Sequence, residues 1–490
     1  MAKKLNILFL ISEADPLIKV GGLGDVGGTL PIALKKIPKE KIDRTEIDIR
    51  VVIPYHDQIK QKNWPTEWLL NYKIQSRRGF KDVYLSKAFN TEVPIYLIDG
   101  MPIRNTGVYS SNTHRDLEKY AFFSVAAFEL CRKINWKPDI IHAHDWHTAL
   151  TVKLLAQNRS FDPFFSQTKS LYTIHNLPYS GGDHPDILDL YDIRPAFDLD
   201  FPDYLRNLPM AIGLDSADHI STVSKTYAEE ITTEAFGCGY QTFLRNHKYK
   251  LSGILNGIMM DQWNPATDHS VYMNFDTHHF ENRPVNKQRL QTDFNLKQDQ
   301  NIPLFVMVGR MTFQKGIDLA IQALNQMNDL NWQAIFLGTG EEAIQRACID
   351  LENHFPDRVR AIIRFDEKLS RKMYAGGDML LMPSRYEPCG ITQMISMLYG
   401  CIPIACATGG LKDTIKDPFH FPNDYTGFLF ENADIGGTEW AMRRAIEYFY
   451  DKENWKQIQF RAMNQDFSWD KQALEYFSLY NSLLTKDTTN

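Results

Sequence analysis

The stretch of residues 381–415 constrains the fold of this chain more than any other segment. The apolar run DMLLMPS, which leads into it, is typical of a parallel strand covered on both faces. Two prolines and Gly390 then break regular structure and predict a tight loop that carries Glu387. ITQMISML has helical spacing, and CIPIACAT predicts the next buried strand. A loop that leaves the carboxyl end of a parallel strand is where α/β proteins bind ligands.

The backbone at the start of that helix is suited to bind a phosphate. The first N–H groups of a helix have no partner within it and lie at the positive end of its dipole. The candidate residues at this position are Cys389, Gly390, Ile391 and Thr392. Glu387 precedes them, near enough to hold a polar group attached to the phosphate. From this loop alone, Glu387 as a helix cap and TGG at 408–410 as a turn remain an equal alternative.

Length and composition bound the class of protein. A chain of 490 residues is too long for one core and indicates two or more domains. The net charge of −6 argues against a general nucleic-acid binder, and no apolar run is long enough to span a membrane. The six cysteines are scattered without a C-x-x-C pair, which favours a reduced, cytoplasmic protein.

A glycine-rich loop follows the first strand. NILFLI (residues 6–11) is a buried strand that leads into SEADPLIKVGGLGDVGG. The spacing is not G-x-G-x-x-G, so it is weak as a dinucleotide fingerprint. It offers Lys19 as a point charge and the pair Gly21 and Gly22, whose amides can approach a phosphate closely. A flexible turn with a solvated lysine is the alternative.

Alternating strands and helices continue through the first half of the chain. The residues between Asp57 and Thr91 are polar and aromatic with poor periodicity, which predicts a surface excursion. Two later strands end in polar clusters, which are HAHDWH (residues 142–147) and TIHN (residues 173–176). The glycines and proline of residues 251–265 break the pattern and place the domain boundary there.

The HAHDWH cluster allows two hypotheses. Its three histidines and Asp145 are all good zinc or iron ligands, but no later cluster completes such a site. The other hypothesis is that Asp145 and His147 bind sugar hydroxyls. His175 and Asn176 lie at the end of a neighbouring strand and suit the same task, although a histidine satisfied in the core is equally ordinary.

The second half restarts the alternation with a cationic loop. IPLFVMVGRMTFQKG predicts a buried strand, a loop with Arg310 and Lys315, and then a helix. An arginine fork and a mobile lysine could clamp a diphosphate and stabilise it as it leaves. The chain has no G-x-x-x-x-G-K-[ST] loop, which argues against a P-loop ATPase.

The motifs R-Y-E-P-C-G-I-T-Q, T-G-G-L and G-R-x-T-x-Q-K-G resemble the donor-site signatures of bacterial glycogen synthases and plant starch synthases. The resemblance covers nearly the whole chain. The K-T-G-G-L motif of that family stands here as K-V-G-G-L-G-D, with Val20 in place of threonine. By this resemblance, His175 lies beside the reacting sugar carbon, and Asp145 and His147 hold sugar hydroxyls. It also assigns Glu13 and Asp25 to the sugar and acceptor side, Asn256 to the cleft near the hinge, and Phe365 to the nucleobase.

The resemblance implies an α/β fold of two doubly wound Rossmann-like domains that face a central cleft, the GT-B type. We expect an N-terminal domain over residues 1–254, a donor-binding domain over 255–465, and a final helix within 466–490 that crosses back onto the first domain. Lys19 and its glycines would then lie across the cleft from Arg310, Lys315 and the turn at Gly390. Closure of the two domains about Asn256 is expected, because neither half alone surrounds the donor.

The expected activity is transfer of glucose from a nucleoside-diphosphate glucose to the non-reducing 4-hydroxyl of an α-1,4-glucan, with retention of configuration. The resemblance makes Lys19, His175, Arg310, Lys315 and Glu387 the catalytic residues. No metal or other cofactor is expected, since the protein's own cations stabilise the leaving diphosphate. The partners are ADP-glucose, or UDP-glucose, and the glucan, with no nucleic acid or membrane. A transferase with another acceptor and a catalytically idle glucan-binding protein are the alternatives; the nucleobase, acceptor length, regulation and oligomeric state stay open.

Overall fold

The computed structural model describes residues 4–485 and divides the chain into two compact units. Unit 1 runs to Gly257 and also takes the residues from Trp469 onward, and unit 2 is Ile258–Ser468. The divisions therefore fall after residues 257 and 468. The expected divisions were after residues 254 and 465, three residues earlier in each case. The last five residues of the expected 466–490 segment lie outside the described residues.

Unit 1 is built on a sheet of nine described strands. They are β1 (Lys4–Leu10), β2 (Glu46–Pro54), β3 (Thr66–Ser76), β4 (Gly79–Ala88), β5 (Ile95–Asp99), β6 (Ile140–His144), β7 (Lys169–Ile174), β8 (His219–Thr222) and β9 (Leu251–Gly253). Their order in the sheet is β3-β4-β5-β2-β1-β6-β7-β8-β9. In this order, the seven strands β5-β2-β1-β6-β7-β8-β9 are all parallel, and β1 lies between β2 and β6. The carboxyl ends of β1, β6 and β7 thus meet at one edge of the sheet.

The segment between Asp57 and Thr91, predicted as a surface excursion from its poor periodicity, is mostly a regular antiparallel hairpin that the sequence did not reveal. β3 pairs with β4, and β4 pairs antiparallel with β5, so the hairpin extends the sheet at one side. Alternate residues Tyr72 and Ile74 are buried while their neighbours are exposed. The apolar alternation was present in the sequence, but it covered only the second half of β3, which hid the strand.

The helices of unit 1 cover both faces of the parallel part of its sheet, as expected for strands that are apolar on both sides. They are α1 (Gly22–Lys36), α2 (Asp57–Gln61), α3 (Thr113–Lys133), α4 (Ala149–Asn158), α5 (Pro185–Leu190), α6 (Pro209–Ser216), α7 (Lys225–Glu230) and α8 (Gln241–Asn246). The long helix α3 buries most of its side chains, and an asparagine cap at Asn112 accepts from Arg115 N at its start.

Unit 2 is a smaller parallel sheet flanked by helices. Its strands are β10 (Leu304–Val308), β11 (Gln333–Gly338), β12 (Val359–Ile363), β13 (Met379–Met382), β14 (Ile402–Cys406) and β15 (Phe428–Phe430), in the order β12-β11-β10-β13-β14-β15. Its helices are α9 (Arg283–Asp293), α10 (Ile317–Gln326), α11 (Glu342–His354), α12 (Glu367–Gly376), α13 (Thr392–Leu398), α14 (Gly409–Thr414), α15 (Ile435–Tyr450) and α16 (Lys452–Met463). The order changes direction between β10 and β13, and the carboxyl ends of these two central strands form a topological switch point.

The last described helix, α17 (Asp470–Thr485), belongs to unit 1. It packs against α1 and β7, and it buries Tyr476 and Tyr480. The Tyr480 hydroxyl lies 2.8 Å from His142 Nδ1 in the central strand β6. Helix α17 is therefore part of the core of the first unit.

No helix within residues 4–485 has the length and apolar character needed to cross a bilayer.

Candidate active site

In unit 2, two of the predicted catalytic side chains contact each other. The Lys315 ammonium donates to Glu387 Oε2 at 2.5 Å, and the Ser384 hydroxyl donates to the same oxygen at 3.1 Å. Glu387 is buried, and Lys315 is partly exposed. Lys315 follows β10 and Glu387 follows β13, so the switch point of the sheet brings the two loops together. The carboxylate is held in place and the lysine remains open to a ligand.

A separate set of contacts ties these two loops into one body. Arg385 forms a two-pronged ion pair with Asp318, at 2.8 and 2.7 Å, and its guanidinium lies 3.5 Å from the centre of the Phe313 ring. Its backbone N–H also donates to the Gln314 carbonyl at 2.9 Å. Sequence reasoning missed Arg385, which stands in the R-Y-E-P motif two residues before Glu387. It fixes the position of the Lys315 loop relative to the glutamate.

Glycines let the backbone of neighbouring loops approach closely around Glu387. A Cβ on Gly316 would meet the Pro383 carbonyl oxygen at 1.9 Å, and one on Gly410 would meet the Cys389 oxygen at 2.0 Å. Gly409 has a φ of +45°, and a Cβ added there would meet the backbone carbonyl oxygen of Glu387 at 2.1 Å. Residues 408–410 are therefore more than the turn considered above, since their glycines begin α14 directly under the glutamate loop.

We expect Gly410→Ala to lower both stability and activity. The new methyl group has to displace the backbone at Cys389, so the free energy of unfolding should fall by about 1–3 kcal/mol. Donor binding should weaken with it, because the displaced loop carries Glu387. Gly436→Ala is the matched control, since a Cβ there meets only Asp434 Oδ1 at 3.7 Å. Urea unfolding and donor titration check both; identical curves for wild type and Gly410→Ala would contradict this role.

Two further predicted donor residues are exposed at the same edge of unit 2. Arg310 follows β10, and the structure records no carboxylate partner for it within residues 4–485. Phe365 follows β12 and is 85% exposed. It lines an open cavity of about 660 Å³ whose other walls come from residues 261–270 and the start of α12. A ring so exposed has no packing role that would account for it, which weakens the alternative of a core aromatic.

The helix after Glu387 begins without a side-chain cap. Ile391 is the N-cap residue of α13, and no side chain accepts from its first N–H groups. Gly390, with a φ of +71°, turns the chain into this helix beside Cys389, which is buried. Gln393 Nε2 donates to the carbonyls of Cys389 and Gly390 at 3.2 and 3.1 Å and so holds the turn from within. The alternative that Glu387 caps this helix does not describe its contacts, which are with Lys315 and Ser384.

In unit 1, the glycine-rich loop is held by its own carboxylates. Lys19 Nζ donates to Asp25 Oδ1 at 2.6 Å, so two predicted site residues pair with each other at the surface. Glu13 is buried and accepts from the backbone N–H groups of Val20 and, at 3.3 Å, Gly21. Gly22 begins α1. The N–H of Gly21 thus points at a carboxylate here, where the sequence suggested a phosphate.

Tyr109 supports Glu13 from the opposite side. Its hydroxyl donates to Glu13 Oε1 at 2.7 Å and lies 2.9 Å from Ser12 Oγ. Burial raises the pKa of the Glu13 carboxyl above its usual range, against these hydrogen bonds, which lower it. Tyr109 lies between β5 and α3, far from Glu13 in sequence, and no pattern pointed to it. Glu13 therefore shapes the loop that carries Lys19.

Asp145 organises the turn that carries His175 and Asn176. It has a φ of +54°, and its Oδ1 accepts from the His175 N–H at 2.7 Å and the Asn176 N–H at 3.2 Å. Burial raises the pKa of Asp145 to about 7, while the two N–H groups act in the opposite direction. Asp145 was predicted to bind a sugar hydroxyl, but one of its two carboxylate oxygens is thus already bound by the protein's own backbone.

The histidines of the cluster are held by one another and by neighbouring strands. His142 Nδ1 lies 2.8 Å from the Tyr480 hydroxyl, and its Nε2 lies 2.7 Å from Thr173 Oγ1. His144 Nδ1 lies 2.9 Å from His175 Nε2. Burial lowers the pKa of His175 to about 3, so its ring is neutral at physiological pH.

These contacts count against the metal hypothesis for HAHDWH. Both ring nitrogens of His142 are engaged in hydrogen bonds, so it cannot act as a ligand without breaking one. Within the described residues, the side chains that come close enough to share an ion are Asp198, Asp200 and His247, outside this segment.

Among the predicted site residues, three carry a buried side-chain atom for which residues 4–485 offer no hydrogen-bond partner: Asn176 Oδ1, Asn256 Oδ1 and His147 Nδ1. His147 packs against the rings of Trp146, Tyr120 and Tyr109, with ring centres at 4.2, 4.7 and 5.1 Å. Buried polar atoms are nearly always satisfied in folded proteins, so these are positions where a ligand's hydroxyl groups would be stabilised.

Comparison with known proteins agrees with the fold and the motifs. The starch synthase catalytic domain family matches residues 6–246, and the glycosyl transferases group 1 family matches residues 288–459. The glycogen synthase of Thermotoga petrophila is 37% identical, covering 98% of this chain and 99% of the relative. The glycogen synthase of Clostridium beijerinckii is also 37% identical, covering 99% and 100%.

A solved structure gives the same result. The catalytic domain of starch synthase IV from Arabidopsis thaliana, bound to ADP and acarbose, superposes with a TM-score of 0.87 at 30% identity, covering 99% of this chain and 100% of that one. The predicted α/β fold of GT-B type is confirmed by this match. With nearly complete coverage by these relatives, the chain belongs to the glycogen synthase and starch synthase family of glycosyltransferases.

Proposed function

We propose that this chain transfers glucose from ADP-glucose to the non-reducing 4-hydroxyl of an α-1,4-glucan, with retention of configuration. The observation that carries the proposal is the Lys315–Glu387 pair at the switch point of unit 2, with Arg310 on the same loop. Two cations and a fixed carboxylate suit a sugar diphosphate, in which the phosphates need positive charge and the sugar hydroxyls need acceptors.

The leaving diphosphate is the centre of the proposed mechanism. As the bond between the sugar carbon and the phosphate oxygen breaks, Arg310 and Lys315 stabilise the charge that develops on that oxygen. The N–H groups of Gly390, Ile391 and Thr392 add donors, with Cys389 in the turn before them. The acceptor's 4-oxygen bonds to the sugar carbon on the face that the phosphate leaves, which gives retention, and the leaving phosphate oxygen takes the acceptor's proton. Glu387 holds the sugar ring, since its carboxylate already accepts from Lys315 and Ser384.

The groups of unit 1 are proposed to act on the sugar and the acceptor. His175, neutral at physiological pH, can accept or donate a hydrogen bond without adding charge next to the reacting carbon. Asn176, Asn256 and His147 offer buried polar atoms to hydroxyl groups, and Asp145 fixes the turn that carries Asn176. Lys19 with Gly21 and Gly22 supplies a further cation, provided that the donor displaces the Asp25 carboxylate. We propose that no metal ion is required, because these protein cations perform the charge stabilisation.

ADP-glucose is the proposed donor. The starch synthase IV structure holds ADP, and Phe365 offers an exposed aromatic face for a nucleobase. Stacking on the Phe365 ring would stabilise either adenine or uracil, so the identity of the donor needs a direct test. One assay that compares ADP-glucose with UDP-glucose on a soluble glucan primer tests donor and activity together. No transfer from either donor would overturn the proposed function and favour an idle glucan-binding protein.

We expect Phe365→Ala to raise the KM for ADP-glucose about tenfold, because base stacking on an aromatic ring contributes about 1–3 kcal/mol. The side chain is 85% exposed, so its loss should leave the melting temperature unchanged. The KM for the glucan is the internal control and should not move. An unchanged KM for ADP-glucose would remove Phe365 from the nucleobase site.

We further propose a cytoplasmic location and no dependence on nucleic acid. Five of the six cysteines are buried, and burial raises the pKa of Cys131 to about 12, which suits thiols kept reduced.

A further inference from the structure

Unit 2 exposes aromatic rings on a surface away from the residues described above. Phe419 is 71% exposed, and Phe421 and Trp440 are about half exposed. The first two lie between α14 and β15, and Trp440 lies on α15. Residues 416–427 lead into the amino end of β15, whereas Glu387 follows the carboxyl end of β13. We call Phe419, Phe421 and Trp440 the aromatic surface.

Two rings of this surface are held parallel. The rings of Phe419 and Trp440 have an angle of 4° between their planes and a centroid distance of 6.1 Å. The Arg444 guanidinium lies 4.3 Å from the Phe419 centre and 5.1 Å from the Trp440 centre, and it pairs with Asp417 at 2.8 Å. This buried ion pair anchors the rings from the protein side. The aromatic faces are therefore fixed although they are exposed.

A cavity with hydrogen-bonding walls lies along the same helix. Its volume is about 400 Å³, and its lining includes Pro422, Tyr425, Tyr448, Asp451 and Asn454. Trp440 and Tyr448 are eight residues apart and therefore on one face of α15, about 12 Å from each other along its axis. The Tyr425 hydroxyl donates to Asn454 Oδ1 at 2.6 Å. Ring faces, carboxylates and an amide thus follow one another on this side of unit 2.

We propose that the aromatic surface and this cavity form a second binding site for an α-1,4-glucan chain, separate from the reacting end. Sugar rings present C–H groups on their faces and hydroxyls at their rims, which match parallel aromatic rings next to polar acceptors. The carboxylates of Asp451 and Glu447 in the lining disfavour a phosphate-bearing ligand. The identity of the polymer rests on the proposed function. A second site would hold a long acceptor near the enzyme between transfers and increase its effective concentration.

Binding to glycogen in a native gel, without any donor, tests this site. We expect wild type to be retarded by glycogen, and the double variant Phe419→Ser/Trp440→Ser to bind it about tenfold more weakly. Phe419→Ser alone should keep the fold, because that side chain is mostly exposed. It should lose part of the glycogen binding that the double variant loses. Phe161→Ser, on an 88% exposed ring of unit 1, is the matched control and should bind as wild type does.

Kinetics with two acceptors separate this proposal from the proposed function. The double variant should need about tenfold more glycogen for half-maximal rate and Phe419→Ser an intermediate amount, with unchanged rates on maltotriose, which is too short to reach both sites. Equal retardation of wild type and both variants would overturn the second site and leave this face to contacts with another protein. Absence of glucosyl transfer with every acceptor would overturn the proposed function, and the gel result would still decide the site.

Discussion

Lys315→Ala is expected to lower kcat/KM about a hundredfold to a thousandfold, with the same expectation for Arg310→Ala. In the proposed mechanism each variant removes a cation that stabilises the oxygen of the departing phosphate, and loss of one such donor raises a barrier by about 2.7–4 kcal/mol. Steady-state rates with saturating glucan and varied ADP-glucose measure the effect. Lys297→Ala, which removes an exposed lysine of unit 2 paired at 3.5 Å with Asp299, is the control and should keep full activity.

The ion pair itself requires a second variant, because Lys315→Ala leaves the buried Glu387 carboxylate without its cation. The single variant should therefore also lose stability, by roughly 1–3 kcal/mol. The double variant Lys315→Ala/Glu387→Gln should regain most of that stability, since an amide needs no counterion, while its activity stays low. Activity of Lys315→Ala and Arg310→Ala within threefold of wild type, in folded protein, would show that neither cation acts on the leaving group.

Unit 1 is expected to lose roughly 4 kcal/mol of unfolding free energy between pH 7 and pH 5.5. Five of its histidines have their pKa lowered by burial, two of them to about 4 and about 3; they are His56, His142, His144, His147 and His175. The unfolded chain takes up their protons near pH 6.5, whereas the native state does not, so stability falls as the pH decreases.

Asp145 and Glu13 act in the opposite direction. Burial raises the pKa of each, so the native state binds their protons at a higher pH than the unfolded chain does. Protonation of Asp145 near pH 7 therefore offsets a little more than one histidine of the five over this interval. The five histidine protons taken up by the unfolded chain outweigh the two carboxyl protons bound by the native state, so the free energy of unfolding falls as the pH decreases.

Hydrogen exchange followed by mass spectrometry at the two pH values, corrected for the intrinsic rate, locates the effect. Peptides of unit 1 should lose protection at pH 5.5, and peptides of unit 2, whose five histidines are exposed, serve as the internal comparison. His147→Phe keeps the aromatic packing against Trp146 and Tyr120, and it should reduce the acid sensitivity by about one proton. Equal unfolding free energies at both pH values would contradict this account.

Much of the fold could be predicted because buried parallel strands are short apolar runs between glycines. The strand–loop–helix units around Lys19, Lys315 and Glu387 are where the motifs placed them. The hairpin β3–β4 was missed because it is an exposed addition to the sheet, and only part of it alternates clearly. Periodicity reports burial, so a strand that is half exposed gives a weak signal.

The site was predicted unevenly for a similar reason. The motifs predicted Lys315 and Glu387 as site residues, but they did not indicate that the two form an ion pair, nor that Arg385 ties their loops together. Local sequence likewise suggested metal ligands in HAHDWH, where the structure uses His142 to join β6 to β7 and to Tyr480. Those partners lie 31 and 338 residues away in the chain, out of reach of any local pattern.

The sequence by itself determined the parallel α/β architecture, the loops at the strand ends and the types of side chain that they carry. The tertiary structure alone decided which of those side chains stay exposed and which hold the protein together. Glu13 shows the difference, since its position beside the Lys19 loop follows from chain order, whereas its bonds to the amides of Val20 and Gly21 and to Tyr109 follow from packing. A carboxylate buried away from water must find donors wherever the fold supplies them, and that supply is set by contacts between distant segments.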